Sequence, residues 1–281
     1  MHIFRILILA GVVCQPLAAE APDHGRAPVE PKSLPAPDQE MAEVQPSIVR
    51  IDATRYRIRE GEAKAVEFDS RTREIRFPAM VNMDVGLLEF AIVHINGKVH
   101  ESLFHTEVSP TDLNLAFKLL RYKPSRELYF LPDEHGGLSG VLPDVPDEIR
   151  QAARVLIDVE WTDEDGKQRR NPINRWILNE RFSGPMPDGP WVYGGSEFYA
   201  GRFVPEMTGD IAAIDIRNSS LINYPGEDNM DDTVWIVRQG IVPPAGTKVR
   251  LIVAPYNRNA EPPAVEIPEA NSQDEPKTPE S

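Results

Sequence analysis

The sequence contains very little cysteine, and that scarcity excludes several classes of protein. Cys14 is the single cysteine in 281 residues, so the chain cannot form an intrachain disulfide, a four-cysteine iron–sulfur site or a cysteine-based zinc site. No apolar run reaches the roughly 18–20 residues that a membrane-spanning helix requires. Basic residues are also outnumbered, with 30 Lys and Arg against 44 Asp and Glu. The resulting net charge of −14 argues against sequence-independent nucleic-acid binding, which needs clustered cations to contact phosphates.

Residues 1–19 have the pattern of a secretory signal peptide. A short start that ends at Arg5 is followed by an apolar run, and small residues lead up to Ala19. This order predicts export to the periplasm or the extracellular space, with cleavage after Ala19. Acylation of Cys14 in a lipoprotein stays open as the alternative, although Val13 is larger than the residue that normally precedes such a cysteine.

Proline and acidic residues are concentrated in two segments outside the predicted domain. Residues 20–46 hold six prolines and residues 258–281 hold five, with few large apolar side chains in either segment. Such segments cannot bury enough apolar surface to offset chain entropy, so we predict a disordered Pro-rich acidic linker and a disordered acidic tail. Each segment carries a net charge of −4, which leaves −7 for residues 47–257 once Arg5 is counted.

Residues 47–257 are long enough for one domain with a sizeable core. Their pattern predicts an α+β domain, mainly antiparallel strands in one sheet or two packed sheets, with one helix against them. Residues 154–161 alternate apolar and polar side chains, as a half-buried strand does. The helix begins after Ser109, a capping residue, with Pro110 in its first position. The other predicted strands are 65–69, 73–80, 87–95, 98–107, 173–178, 191–193, 211–216, 233–237 and 248–253.

The dipeptide Asn96-Gly97 predicts a tight hairpin between two apolar strands. Both central residues of a type I′ turn need positive φ, and Asn-Gly is a pair that readily provides it. With this turn Val93 faces His100, and alternation along each strand decides which side chains share a face. The candidate ligand-binding or functional patch on these strands, in which all but Glu101 share one face, is Glu89, Lys98, His100, Glu101 and Ser102.

Several motifs resemble catalytic or metal sites without completing one. No Gly-x-Ser-x-Gly elbow surrounds any serine, and same-strand neighbours such as His100 and Ser102 lie about 6.5–7 Å apart, too far for a Ser–His hydrogen bond. The spacing of His100 and His105 is one residue longer than in the His-Glu-x-x-His motif. We therefore assign no catalytic residue, no metal ligand and no cofactor. A metal site formed by His94, His105 and a carboxylate from elsewhere in the chain stays open.

Two other features have an ordinary structural interpretation. The acidic runs 163–166 and 227–232 lack the ligand spacing of an EF-hand calcium loop, so both are interpreted as solvated turns. The tryptophans are expected in the core or at its rim, and a ligand-stacking role for one of them stays open. These are Trp161, Trp176, Trp191 and Trp235.

A series of short motifs extends over the whole predicted domain. The run Gly97-Lys98-Val99-His100-Glu101-Ser102 is the most specific, and the others are 81–90, the helix end at 119–120, 189–198, 221–225 and 243–249. Together they resemble the YdjY-domain family of bacterial proteins over roughly residues 56–254. The resemblance implies a domain boundary and a compartment, since members are commonly exported, and no particular reaction. Some relatives are described as ferredoxin-like, but the chain after Ala19 has no cysteine, so we expect no iron–sulfur cluster.

These observations leave two hypotheses of different class. The first is a non-catalytic exported binding or envelope-associated domain. Its partner would be a small molecule or an envelope component, without nucleic-acid binding or a membrane span. The second is an exported hydrolase, with or without a metal ion, that uses the Glu89/His100/Ser102 hairpin together with a distant acid. The distant acids considered are Asp210, Asp215 and those of the 227–232 loop.

Overall fold

The computed structural model describes residues 47–59 and 64–257. The predicted signal peptide (1–19), linker (20–46) and tail (258–281) lie outside the described residues. The strands are β1 (Ile48–Arg50), β2 (Arg55–Ile58), β3 (Val66–Asp69), β4 (Ile75–Val81), β5 (Phe90–His94), β6 (Ser102–Thr106), β7 (Arg154–Thr162), β8 (Gln168–Pro172), β9 (Ile177–Asn179), β10 (Gly184–Pro185), β11 (Trp191–Tyr193), β12 (Phe198–Tyr199), β13 (Arg202–Phe203), β14 (Asp210–Ala213), β15 (Ile222–Asn223), β16 (Trp235–Val237) and β17 (Lys248–Pro255). The helices are α1 (Pro110–Leu119), α2 (Asp147–Ala152) and α3 (Val204–Thr208), with 3₁₀-helices at Val99–Glu101 and Ile173–Trp176.

Eight strands of the described chain close into a barrel. Their order around the ring is β4, β17, β7, β11, β15, β14, β5 and β6, and β6 pairs back onto β4. Strands β1 to β3 continue from β4, and β8 forms a hairpin with β7. The mainly-β prediction is confirmed. The barrel replaces the open or stacked sheets expected from the sequence, so the α+β class describes the fold only loosely.

Every second side chain along a barrel strand is buried, and these side chains fill the barrel interior. In β7 the side chains of Val155, Ile157 and Val159 are buried and the residues between them are partly exposed. A period of two places every second side chain on the same face of a strand, which is why this strand was predictable from the sequence.

The tryptophans lie in the core or at its rim, as predicted. Trp176, Trp191 and Trp235 are almost completely buried. Trp161 is partly exposed, and its ring packs edge-on against Trp176 with the ring centroids 5.0 Å apart. The large rings therefore supply much of the core volume in a chain whose strands are short.

Helix α1 begins as predicted. The Ser109 hydroxyl accepts hydrogen bonds from the backbone N–H groups of Thr111 (3.2 Å) and Asp112 (3.3 Å), and Pro110 occupies the first turn. Glu206, on α3, adds a second cap that the sequence did not reveal. Its Oε2 accepts from the Ser109 hydroxyl (2.7 Å), the Thr111 N–H (3.0 Å) and the Thr111 hydroxyl (2.8 Å). A carboxylate here also interacts favourably with the helix dipole.

We expect Glu206→Gln to lower the free energy of unfolding at pH 7 by about 0.5–1 kcal/mol, because a neutral amide accepts these hydrogen bonds more weakly at a site that water partly screens. Burial opposes ionisation of Glu206, but the hydrogen bonds from Ser109 and Thr111 outweigh it and hold its pKa below the ordinary 4.5. The carboxylate thus stabilises the fold above its unfolded-state pKa, and this contribution is lost as the pH falls through the folded-state pKa. Urea unfolding at pH 7 and pH 3 measures the difference, which should shrink at pH 3. The exposed Glu197→Gln is the control, and equal losses in both variants would contradict the prediction.

The predicted Asn96-Gly97 hairpin is wrong. Strands β5 and β6 are parallel neighbours, with Ile92 opposite Phe104, so the two strands run in the same direction. Residues 95–101 return alongside β5, partly as a 3₁₀-helix, before β6 begins. The pairing of Val93 with His100 is therefore wrong as well.

Neither Asn96 nor Gly97 has a positive φ, so glycine is not needed here for a left-handed turn. Glycine is needed at position 97 because a second backbone segment lies close to it. A Cβ atom at position 97 would lie 3.0 Å from the Thr208 carbonyl oxygen and 3.1 Å from Gly209 Cα. Gly209 has a φ of +81°, and a Cβ atom there would lie 2.6 Å from Gly97 Cα. The two glycines mark a point where two backbone segments touch.

Two further differences concern short elements. The strand predicted at 173–178 begins as a 3₁₀-helix and becomes β9 only at Ile177. Helices α2 and α3, which were not predicted, are six and five residues long, too short for helical periodicity to stand out. No helix in the described residues is long and apolar enough to cross a membrane.

Candidate functional site

Four of the five predicted patch residues meet beside the start of β5. Lys98 Nζ lies 3.1 Å from Glu89 Oε2 and 3.2 Å from Glu101 Oε2. His100 Nε2 lies 3.3 Å from Glu101 Oε1, and the His100 side chain is 73% exposed. The structure brings these residues together although the hairpin is wrong, because the return segment 95–101 passes Glu89 in the parallel arrangement too.

Ser102, the fifth residue, is fully buried. Its hydroxyl donates to the Val99 carbonyl at 3.1 Å, and the Asn82 amide donates to the Ser102 carbonyl at 2.9 Å. A buried hydroxyl that already has a hydrogen-bond partner is not available to a ligand. A ligand-binding role for the patch as a whole stays a prediction.

Arg217 joins the patch from the segment that follows β14. Its Nη2 lies 2.8 Å from Glu89 Oε2 and 2.5 Å from Asp215 Oδ2. The Lys98 ammonium and the Arg217 guanidinium lie 5.6 Å and 6.0 Å from the centre of the Phe90 ring. Each carboxylate of the patch therefore has a cation beside it, and the ion pairs tie separate chain segments together.

The same contacts decide the charge states within the patch. Burial opposes the charge of Lys98, but contacts with Glu89 and Glu101 outweigh it and raise the pKa of Lys98. Burial also opposes the charge of Glu101, and Lys98 outweighs it, so the pKa of Glu101 is lowered. Burial raises the pKa of Asp215 against the opposing effect of Arg217. The Lys98–Glu101 pair is charged at neutral pH, which is the behaviour of a structural ion-pair network.

A separate cleft of about 440 Å³ lies beside β9, β10 and the loop that follows β15. Its volume falls within the range of about 300–1,000 Å³ that is typical of small-molecule pockets. We call it the Tyr224 cleft and define it by three aromatic residues, a glycine and two acids: Phe182, Tyr224, Trp235, Gly226, Glu227 and Asp228.

Tyr224 gives the cleft a polar group on an otherwise buried side chain. The residue is 4% exposed, and its ring packs against Trp191 and Trp235 with centroid distances of 5.4 Å and 5.5 Å. A Cβ atom at Gly226 would lie 2.2 Å from the Tyr224 hydroxyl. Any larger residue at position 226 would therefore clash with this hydroxyl. Burial, and then the nearby carboxylates of Glu227 and Asp228, raise the pKa of Tyr224 to about 12. Within the described chain, no residue forms a hydrogen bond with this neutral hydroxyl.

The acidic run 227–232 includes a turn with exposed residues, as predicted, but two of its acids are held by β9 and the segment that follows it. Arg181 forms ion pairs with both Asp228 and Asp231, and the Asn179 amide donates to Asp228 Oδ2 at 2.9 Å. Glu227 is exposed and has no ion pair in the part of the chain that the structure describes. The rim of the Tyr224 cleft therefore carries one uncompensated carboxylate.

The histidines considered for a metal site have separate partners. His94 Nδ1 accepts a hydrogen bond from the Asn96 N–H at 3.2 Å, and His105 Nδ1 lies 3.2 Å from Asn82 Oδ1. Within residues 47–59 and 64–257, no group of three or more His, Cys, Asp or Glu side chains has an arrangement that could hold a metal ion. Of the distant acids considered, Asp215 reaches the patch, whereas Asp210 accepts a hydrogen bond from the Ser219 hydroxyl.

The Tyr224 cleft was not predicted from the sequence. The available signal was the run Tyr224-Pro225-Gly226-Glu227, in which a turn separates an aromatic residue from an acid. Trp235 was one of four tryptophans considered for ligand stacking, but no sequence pattern places it beside Tyr224. Phe182, from a third segment, carried no signal of its own.

Comparison with models of protein families matches the YdjY domain over residues 66–254. This stretch includes the patch, the Tyr224 cleft and all the strands of the barrel but the last residue of β17. Comparisons with curated proteins and with solved structures find no match. Because the matched stretch covers well over half of the chain, the chain belongs to the YdjY-domain family.

Proposed function

We propose that this chain is an exported, non-catalytic domain that binds a small ligand in the Tyr224 cleft. The observation that carries the proposal is the Tyr224 hydroxyl, which lines a cleft of about 440 Å³ and has no hydrogen-bond partner among the described residues. A hydroxyl that faces a cleft without a protein partner is free to form a hydrogen bond with a ligand that displaces water. Export is supported by the signal-peptide pattern of residues 1–19 and by what the family resemblance implies.

The cleft favours a ligand with a cationic group on an apolar body. Tyr224, Trp235 and Phe182 offer aromatic surface, which attracts both apolar groups and cations. Glu227 adds a carboxylate without a counter-ion, and the Tyr224 hydroxyl can accept a hydrogen bond from an ammonium N–H. A primary amine attached to a ring or a short chain fits this combination of groups.

The contacts of the patch support binding in the cleft over hydrolysis at Glu89, His100 and Ser102. The Ser102 hydroxyl is buried and donates to a backbone carbonyl. Glu89 Oε2 contacts both Lys98 and Arg217, so this oxygen is not free to accept a proton from a nucleophile. No observation specifically favours the hydrolase hypothesis, so we advance binding alone.

Titration with benzylammonium tests the cleft, with benzoate as the anionic counterpart. We expect wild-type protein to bind benzylammonium and not benzoate, as followed by calorimetry and by tryptophan fluorescence. Glu227→Gln should weaken benzylammonium binding by about tenfold, and Tyr224→Phe by a similar factor, because each change removes one charge-assisted contact. Glu164→Gln, which changes an exposed acid in the β7–β8 turn, should bind as wild type does.

Different outcomes refute different parts of the proposal. Equal affinity for benzoate, or unchanged benzylammonium binding in Glu227→Gln, would reject the cleft as a cation site. Hydrolysis of a 4-nitrophenyl ester by the pure protein, if lost in Glu89→Gln, would reject the non-catalytic assignment. A mature protein that retains residues 1–19, measured by mass spectrometry, would reject cleavage after Ala19.

A further inference from the structure

An exposed aromatic hairpin projects from the described domain. Strands β12 and β13 pair Phe198 with Phe203 and Tyr199 with Arg202. The side chains of Phe198 and Tyr199 are 63% and 72% exposed. The Phe198 ring packs on Phe203 with a centroid distance of 5.2 Å, and Phe203 is buried. The hairpin therefore presents two large rings to solvent from an anchored base.

A basic segment lies against the base of this hairpin. Residues 118–126 contain four exposed cations and no acid, and these are Lys118, Arg121, Lys123 and Arg126. Lys118 Nζ lies 6.0 Å from the centre of the Phe198 ring. Arg126 Nη2 donates to the Ser196 carbonyl at 2.6 Å. Both ends of the basic segment thus contact the hairpin, one at its aromatic strand and one at its base.

The charge of this surface is opposite to that of the rest of the domain. Residues 118–126 carry +4 within a body of residues 47–257 that carries −7. In the hairpin, Arg202 and Glu197 cancel. Exposed apolar rings often mark an interaction site, and the cations beside them favour an anionic partner, so the arrangement suits a partner with an apolar layer beneath its negative charges.

We propose that the hairpin and residues 118–126 form a docking surface for the anionic headgroup region of a lipid bilayer. Aromatic rings favour the boundary between headgroups and acyl chains, where an apolar face and a polar edge are both satisfied. Lys and Arg beside them gain from the negative surface potential of anionic lipids. This proposal rests on neither the Tyr224 cleft nor its ligand, because it uses a different part of the barrel surface.

Vesicle co-sedimentation of the chain from Glu20, which contains every described element, tests the proposal. We expect binding to vesicles that contain phosphatidylglycerol, little binding to pure phosphatidylcholine, and loss of binding as salt is raised. Phe198→Ser/Tyr199→Ser and Lys118→Glu/Lys123→Glu should each weaken binding at least tenfold. All four side chains are exposed, so the variants should keep the urea midpoint of the wild type.

Two matched control variants distinguish binding at this surface from nonspecific adsorption to vesicles. Tyr256→Ser removes another half-exposed ring, and Lys167→Glu/Lys248→Glu reverses two exposed cations elsewhere; both should bind vesicles as wild type does. Equal binding to both vesicle types, or equal loss in the control variants, would overturn the proposal. So would absence of vesicle binding together with binding to polyglutamate, since the surface would then fit an acidic protein.

Discussion

Replacing Gly209 by alanine is expected to lower the free energy of unfolding by about 3–4 kcal/mol, the combined cost of a left-handed L-residue and of overpacking. Gly209 has a φ of +81°, and a Cβ atom would lie 2.6 Å from Gly97 Cα and 2.9 Å from the Gly97 nitrogen. Both clashing atoms belong to the backbone, so no side chain can rotate away. The segments joined there carry β14 and the return to β6, and moving either one disturbs two barrel strands.

The matched control is Gly240→Ala. Gly240 has a φ of +78° and nothing within 4 Å of an added Cβ atom, so its loss should be limited to the conformational cost, about 1 kcal/mol. Urea unfolding of both variants followed by tryptophan fluorescence gives the difference. Equal losses would show that the Gly97–Gly209 crossing yields to an added methyl group, contrary to this expectation.

Tyr129→Phe is expected to cost about 2–4 kcal/mol, because it leaves a buried donor and a buried acceptor without partners. The Tyr129 hydroxyl donates to the Ser220 carbonyl at 2.5 Å and accepts from the Ser196 N–H at 2.8 Å. One oxygen atom thus links the segment before the 131–141 loop to the segments that follow β11 and β14. The Arg126 guanidinium lies over the Tyr129 ring at 4.6 Å and keeps its position in the variant.

Alkaline unfolding gives a second readout for the same hydroxyl. Burial raises the pKa of Tyr129, so the neutral phenol is favoured in the folded state. Its contribution is present below the unfolded-state pKa of about 10 and is lost as the pH rises above that value. We expect Tyr129→Phe to lose stability less steeply than wild type above pH 10. Tyr256→Phe, at a half-exposed tyrosine, should match wild type in both measurements, and a matching loss there would contradict the assignment.

Sequence patterns predicted the helices and strands that are determined by residues close together in the sequence. The cap of α1 depends on Ser109 and Pro110, which are adjacent in sequence, and β7 depends on its own alternation. The second cap, Glu206, arrives from a distant helix and left no trace in the sequence near α1. The same distinction explains the error at Asn96-Gly97, where glycine satisfies a contact with Gly209 that only the tertiary fold creates.

The candidate sites divide in the same way. The Lys98–Glu101 pair lies within one short segment, and its two residues were grouped correctly with Glu89 and His100. Arg217, which neutralises Glu89, follows β14 and is 128 residues from Glu89 in the sequence, so it was not predicted although β14 pairs with β5. The Tyr224 cleft needs three segments to meet, so composition and spacing could reveal no more than an aromatic residue near an acidic run.

The position of β17 in the ring has a consequence for the order in which the chain folds. β17 pairs with β4 on one edge and with β7 on the other, so the ring stays open between those two strands until residues 248–255 are available. A chain made or translocated from its N-terminus therefore has no closed core until almost all of the domain has emerged. Pairing between residues so distant in sequence also makes folding slow, which prolongs the interval in which the domain has no closed core.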